Sequence, residues 1–241
     1  MFTKSNMTKK ICIITTSEEN YFTPSFLQYC SKIRKINMEI VFVPGFLNIK
    51  KFCYMFLMLR INEIIEVIYF KLFKSKINYQ CKINEFESVN KNKFCKFINR
   101  NKFDLIVSYN CNQIFSEKTL KKIECDIVNF HPGLLPKYKG LFPNFYSLKN
   151  REKYIGITFH KINKKIDSGK ILKKLRIRIE KKDTIFKLYK KIFFGRKSHK
   201  FIYNCILNYK KLSRIKLQSK DQYKYNSYPK LIDVIKFKFY Q

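Results

Sequence analysis

The chain has 241 residues, 46% of them hydrophobic, which is enough for a core built without disulfides or structural metal. Its eight cysteines are scattered at positions 12, 30, 53, 81, 95, 111, 125 and 205 without a C-x-x-C pair. That argues against a disulfide framework or a zinc site and for reduced thiols in the cytoplasm. The net charge of +34 points either to a polyanionic partner or to a compositional bias toward Lys, Asn, Ile, Phe and Tyr, all of which abound here.

The opening "MFTKSNMTKKICIITT" has an apolar run too short for a signal-peptide core. "KKICIITT" (Lys9 to Thr16) is a β-branched run and predicts the first strand of an α/β domain. "PSFLQYCSKI" has helical spacing, with Pro24 suited to a first turn. "MEIVFVPG" (Met38 to Gly45) is a second strand stopped by Pro-Gly. Lys51 to Phe73 is the most hydrophobic stretch. Arg60, Glu63 and Glu66 interrupt it, so it reads as two amphipathic helices joined near Arg60 and not as a transmembrane segment; packing in the core is the favoured expectation and a helix lying on a membrane surface the alternative.

"YQCKIN" predicts a short third strand. "SVNKNKFCKFINRN" predicts a basic helix with Val89, Phe94, Phe97 and Ile98 on one face. "FDLIVSYN" (Phe103 to Asn110) is a buried strand, a short helix starts after Ser116, and "DIVNFHP" is another strand. This alternation argues a parallel sheet with helices on both faces. "YIGITFHKI" and "KILKKLRIRI" are then two strands joined by the tight loop "NKKIDSG", hence an antiparallel pair. A helix follows, capped by Asp183 or Thr184, and the helical pattern runs to about Asn208. The last thirty residues are polar and basic. The expected organisation is therefore a catalytic domain over 1–210 and a short extension over 211–241.

Four of the six glycines (133, 140, 156, 169), three of the six prolines (132, 136, 143) and two of the three histidines (131, 160) fall between residues 129 and 169. Gly and Pro set backbone geometry that other residues resist. Their concentration in a chain poor in both marks a place where geometry matters. In an open α/β sheet, ligands bind at the carboxyl ends of strands, and "SYNCNQI" and "NFHPG" both lie at such ends.

Within that stretch, "VNFHPGLLPKYKG" followed by "GITFHKINKKIDSGKIL" resembles the formyltransferases that use 10-formyltetrahydrofolate, whose pattern is Asn-x-His-Pro-x-Leu-Leu-Pro and then Gly-x-Thr-x-His with an Asp-containing loop. The resemblance implies a Rossmann-like, mostly parallel sheet of formyltransferase type, with 10-formyltetrahydrofolate as donor and no metal. It implies Asn129, His131 and Asp167 as the catalytic set. Formyl transfer is acyl transfer to an amine, so an amide donor such as Asn129 can stabilise the oxyanion and His131 can shuttle the proton, with Asp167 orienting it. By resemblance, Asn112, Gln113 and Ile114, together with the loop from Asn163 to Asp167, grip the pterin largely through backbone groups. His160 reads either as support for the site or as plain structure. Leu135-Pro136 matches a family position where the peptide is cis.

The acceptor stays open among family members. "TTSEENYFTPSF" lacks the glycines of the glycinamide ribonucleotide enzyme's phosphate loop, which makes that acceptor the least favoured. A methionyl-tRNA enzyme would use the positive charge but carries a long C-terminal domain. "GLFPNFYSL" and the tail "YNSYPKLIDVIKF" look similar to amino-sugar formyltransferases, so a nucleotide-linked amino sugar is favoured over charged initiator tRNA. That choice implies an aromatic wall from Phe142 to Tyr146 beside His131. A non-catalytic relative would not need all three of Asn129, His131 and Asp167. The oligomeric state is open, a homodimer included.

Overall fold

The computed structural model describes residues 9–16, 21–33, 36–45, 49–73, 79–215 and 223–239. In chain order the elements are β1 (Lys9–Thr16), α1 (Pro24–Ser31), β2 (Ile36–Val43), α2 (Ile49–Met58), α3 (Ile61–Phe73), β3 (Lys82–Glu85), α4 (Asn92–Asn101), β4 (Leu105–Ser108), α5 (Glu117–Lys122), β5 (Ile127–His131), α6 (Pro143–Lys149), β6 (Tyr154–Lys161), β7 (Ile171–Arg178), α7 (Ile185–Phe193), α8 (Arg196–Leu207), α9 (Tyr209–Arg214) and α10 (Leu231–Phe239). The strands form one sheet in the order β3-β2-β1-β4-β5-β6-β7. β1 to β5 pair in parallel, while β5-β6 and β6-β7 pair antiparallel.

Side-chain alternation along the strands splits the core in two. Ile11, Ile13, Val107, Val128 and Phe130 face one side, where Phe26 of α1, Leu188 of α7 and Ile202 of α8 cover them. Cys12, Ile14, Ile106 and Ile127 face the other, under Phe94 and Ile98 of α4. Successive residues of a strand point to opposite faces, so each buried strand supplies both cores, as the near-continuous apolar runs require. The expected caps are present: the Ser116 side chain accepts from the Thr119 N–H, and Thr184 rather than Asp183 accepts from the Lys187 N–H.

Three expectations from the sequence need correction or restriction. The 51–73 region does form two helices broken near Arg60, but it is not packed into the core on all sides. Phe52, Ile61, Ile65 and Leu72 are 63%, 75%, 60% and 72% exposed. The inner side of α2 packs on the core through Tyr54, Met55 and Met58, and α3 is tied down by buried Glu63, which accepts the Thr184 hydroxyl. Phe142 and Phe145 do not wall a cleft, because both lie buried in the first core. The loop "TTSEENYFTPSF" lies partly outside the described residues.

The tail folds back onto the domain. Asn226 pairs with both neighbours of Gly140: its N–H donates to the Lys139 carbonyl (3.0 Å), and its carbonyl accepts from the Leu141 N–H (2.8 Å). The Tyr146 hydroxyl donates to the Ser227 carbonyl (3.0 Å), and Lys149 pairs with Asp233 (2.7 Å). Beyond them α10 buries Val234 and sets Phe237 edge-on to Phe145 at 5.2 Å. Gly140 has φ +86°, and a Cβ there would stand 2.4 Å from the Asn226 carbonyl oxygen. Gly140→Ala is therefore expected to lower unfolding free energy by about 1–3 kcal/mol and to expose the tail to limited proteolysis. Parental protease resistance and an unchanged urea midpoint would show that the tail does not depend on this close approach.

Candidate functional site

The site forms where β4 and β5 end, beside the last residues of β6 and the loop that follows it. Asn129 and His131 alternate along β5, so both leave the sheet on the Ile127 face. β6 runs antiparallel beside them in a register that sets His160 opposite Asn129 and Thr158 opposite His131. Directly opposed residues in an antiparallel pair share a face and come within reach of each other. On the reverse face the same register stacks Phe130 on Phe159, with centroids 4.6 Å apart, which fixes the pairing against slippage.

The Asn129 amide nitrogen lies 3.2 Å from His160 Nε2, and His160 Nδ1 lies 2.9 Å from the Lys161 carbonyl. A carbonyl only accepts, so Nδ1 carries the proton and Nε2 receives the Asn129 N–H. This is the neutral imidazole. Burial pushes the His160 pKa down to about 4, with the Asp167 carboxylate opposing that shift, which agrees with the neutral form. The second Asn129 N–H is left for the cavity.

Asp167 comes from the β6–β7 loop. Asn163 ties that loop, its Oδ1 accepting from the Lys165 N–H (3.0 Å) and its Nδ2 donating to the Ser168 carbonyl (3.1 Å). Gly169 closes it: a Cβ there would sit 1.7 Å from the Lys161 carbonyl oxygen, an approach open only to glycine. Asp167 itself has φ +51°, and its carboxylate Oδ2 accepts from the Gly140 N–H at 2.9 Å. Oδ2 is 3.4 Å from His131 Nδ1, and Oδ1 is 3.7 Å from His160 Nε2. His131 is buried, and its Nε2 donates to the Tyr138 carbonyl at 2.6 Å. Its two nitrogens thus face a carbonyl and a carboxylate.

The loop that follows β5 is pinned from β6. The Thr158 hydroxyl donates to the Gly133 carbonyl (2.6 Å) and accepts from the Leu135 N–H (3.0 Å), and the Leu135-Pro136 peptide is cis. The 138–141 segment then supplies the Tyr138 carbonyl to His131 and the Gly140 N–H to Asp167, with tail residue 226 paired along its outer edge.

A cavity of about 130 Å³ opens beside this cluster, lined by Asn112, Gln113, Ile114, Asn129, His160, Asn163 and Asp167 among others. His131 does not line it but stands against Asp167. Every residue expected at the donor site is at this cavity, though not all with a free side chain. Gln113 is buried: its Oε1 accepts from the Val89 N–H, and its Nε2 donates to the Pro44 and Glu87 carbonyls. Ile114 is 61% exposed. Sequence reasoning did not assign roles to Thr158, the Tyr138 carbonyl, the Gly140 N–H or Tyr225. The Tyr225 ring lies against Gly140, and the Asp167 charge contributes, after burial, to raising its pKa. The Thr158 role had a signal, its place in Gly-x-Thr-x-His. The tail residue had none, since nothing local links position 225 to position 140.

Among known proteins, a family model described as formyl transferase matches residues 60–203. The chain is 37% identical over 131 residues to the bifunctional polymyxin resistance protein ArnA of Wigglesworthia glossinidia brevipalpis, covering 54% of this chain and 20% of that protein. It is 39% identical over 89 residues to the methionyl-tRNA formyltransferase of Enterococcus faecalis, covering 37% of this chain and 28% of that one. The chain thus spans under a third of the length of these curated relatives. A solved sugar N-formyltransferase from Shewanella sp FDAARGOS_354 superposes with TM-score 0.62 at 20% identity, covering 95% of this chain and 87% of that one. The family match covers more than half of the sequence and contains every residue of the β5–β6 cluster: the chain belongs to the formyl transferase family.

Proposed function

We propose that this protein moves the formyl group of 10-formyltetrahydrofolate to the primary amine of a nucleotide-linked amino sugar. The observation that carries the reading is the gathering of Asn129, His160 and Asp167 around one cavity, with His131 3.4 Å from Asp167. In the reaction the amine nitrogen attacks the formyl carbon, and negative charge builds on the formyl oxygen. The Asn129 N–H not used by His160 is available to that oxygen. The proton leaving the amine passes to the His131–Asp167 pair, the bond from the formyl carbon to the folate nitrogen breaks, and the pair returns the proton to that nitrogen. The products are a formamide and tetrahydrofolate. His160 holds Asn129 in orientation and stays neutral.

The cavity volume is below the roughly 300–1,000 Å³ usual for whole drug-sized ligands, so it suits a flat bicyclic head and leaves the rest of the folate along the surface. Exposed Ile114 and Ile166 offer apolar ground there. Two features support a compact acceptor. Tyr225 is 46% exposed beside Gly140 and near Asp167, an aromatic surface for a sugar or base ring. The likeness to a sugar N-formyltransferase over 95% of this chain supports a compact acceptor, a class that also includes glycinamide ribonucleotide. Formylation of charged initiator tRNA is the second reading, favoured by the net charge of +34 and the methionyl-tRNA formyltransferase relative.

His131→Ala and Asp167→Ala should each lower kcat/KM by about 10²–10⁴-fold while the circular dichroism spectrum is kept. Turnover close to the parent in either variant would remove that side chain from the mechanism.

Offered a panel of nucleotide-linked amino sugars and charged initiator tRNA, the enzyme should turn over an amino sugar with weak salt dependence. A tRNA acceptor would instead show a slope of about −0.9 per phosphate contact in log affinity against log salt. Steep dependence with no amino-sugar turnover would exchange the acceptor and leave formyl transfer standing.

The His160 pKa gives a pH signature. Above about 6.5 the ring is neutral in both folded and unfolded chains, so no stability is lost there. Between that value and the folded pKa of about 4, the unfolded chain binds a proton that the folded one refuses, so stability falls as pH falls through this window. Protonation of Nε2 also removes the acceptor for Asn129, so activity should fall with it. His160→Gln should flatten this part of the stability profile, leaving the contribution of His199, whose pKa burial also lowers. An unchanged profile in the variant would show that His160 is not the group responsible.

A further inference from the structure

We propose that the outer faces of α2 and α3 form a docking surface for an anionic lipid bilayer. On α3, Ile61, Ile65, Ile68 and Leu72 recur at intervals of four, three and four residues and are all exposed. That is one stripe of a helix, and it faces outward. On α2, Ile49, Phe52 and Phe56 recur at three and four and are likewise exposed. Ring contacts run along both stripes, Phe52 to Phe56 and Tyr69 to Phe73. Monomeric proteins rarely leave contiguous apolar surface of this kind open to water unless something covers it.

The charges on the two helices are sorted by face. Neither acidic residue presents an unpaired charge: Glu63 is buried, accepts the Thr184 hydroxyl and caps the helix through the Arg60 N–H, and Glu66, partly exposed, pairs with Lys190 and accepts the Tyr21 hydroxyl. The charged residues at exposed positions of 49–73 are Lys50, Arg60 and Lys71, all basic. An apolar stripe edged by cations, with its one partly exposed acid already paired to Lys190, is complementary to acyl chains beneath anionic headgroups. A second copy of the chain fits poorly, since a self-paired face would oppose like charges on molecules that each carry +34. No helix of the described residues is long and apolar enough to cross a membrane, so the contact is one of lying on the surface.

The test is flotation of the intact protein with vesicles of phosphatidylcholine alone or of equal parts phosphatidylcholine and phosphatidylglycerol, alongside Phe52→Glu and Ile65→Glu. Both positions are solvent-exposed, so the variants keep the parental circular dichroism spectrum and melting temperature. Binding to the anionic vesicles should exceed binding to neutral ones by about tenfold or more and should fall to the neutral level in each variant. Unaltered binding in the variants would mean that the lysine coat alone is responsible and would overturn the proposal, as would no preference for anionic lipid. Sedimentation equilibrium closes the remaining route: a concentration-dependent dimer abolished by the same substitutions would assign the face to a second copy instead.

Discussion

A carboxylate that is only 10% exposed is costly to bury without a donor, and Asp167 accepts the Gly140 N–H while the His131 and His160 rings approach its two oxygens. The Gly140 N–H donates to one oxygen, which also faces His131, while His160 faces the other. Each contact comes from a different segment: the post-β5 loop, β5 and β6. The site is therefore the place where these three segments must agree. Moving any of them leaves an ion underpartnered in a poorly solvated spot, so the geometry of the loop, the β5–β6 register and the site form one constraint.

The antiparallel turn of the sheet at β5–β6 is what makes this agreement feasible. Reversal places His160 opposite Asn129, and the short loop after β6 carries Asp167 back over both. The Phe130–Phe159 stack on the far face holds the register that the polar face uses. Packing on one side of the sheet thereby sets hydrogen-bond geometry on the other.

Much of this was legible in the sequence because local signals and tertiary demands coincide. Lys9–Thr16 reads as a strand and is one, being a β-branched run with polar ends. The expectation for Asn129, His131 and Asp167 came from the resemblance of their two motifs to the formyltransferases, and those motifs lie on adjacent strands and the loop that follows them, where chain distance and spatial distance agree. Legibility ends where they diverge. α6 is seven residues long, less than two full helical periods, and begins with Pro-Asn, which also suits a turn. α10 contains "VIKFKF", whose alternation mimics a strand; only Val234 and Phe237 turning inward three residues apart reveal the helix. α2 is apolar on both sides and α3 turns a buried carboxylate inward, so periodicity identified helices but not which side faced the core. Tyr225 is invisible to any local pattern, because its role depends on a return of the chain across some eighty positions.

The backbone pairing of Asn226 with the segment around Gly140 has a consequence for synthesis. A ribosome delivers residues from the amino end, and early segments can begin folding before later ones exist. The seventh strand ends at Arg178, so the whole sheet can be formed while residue 226 has yet to be added. Until then the stretch from Lys139 to Leu141 lacks the edge that steadies it, and the Gly140 N–H that meets Asp167 belongs to an untethered loop. The sheet can thus stand complete while the loop that presents the Gly140 N–H to Asp167 still lacks its outer edge.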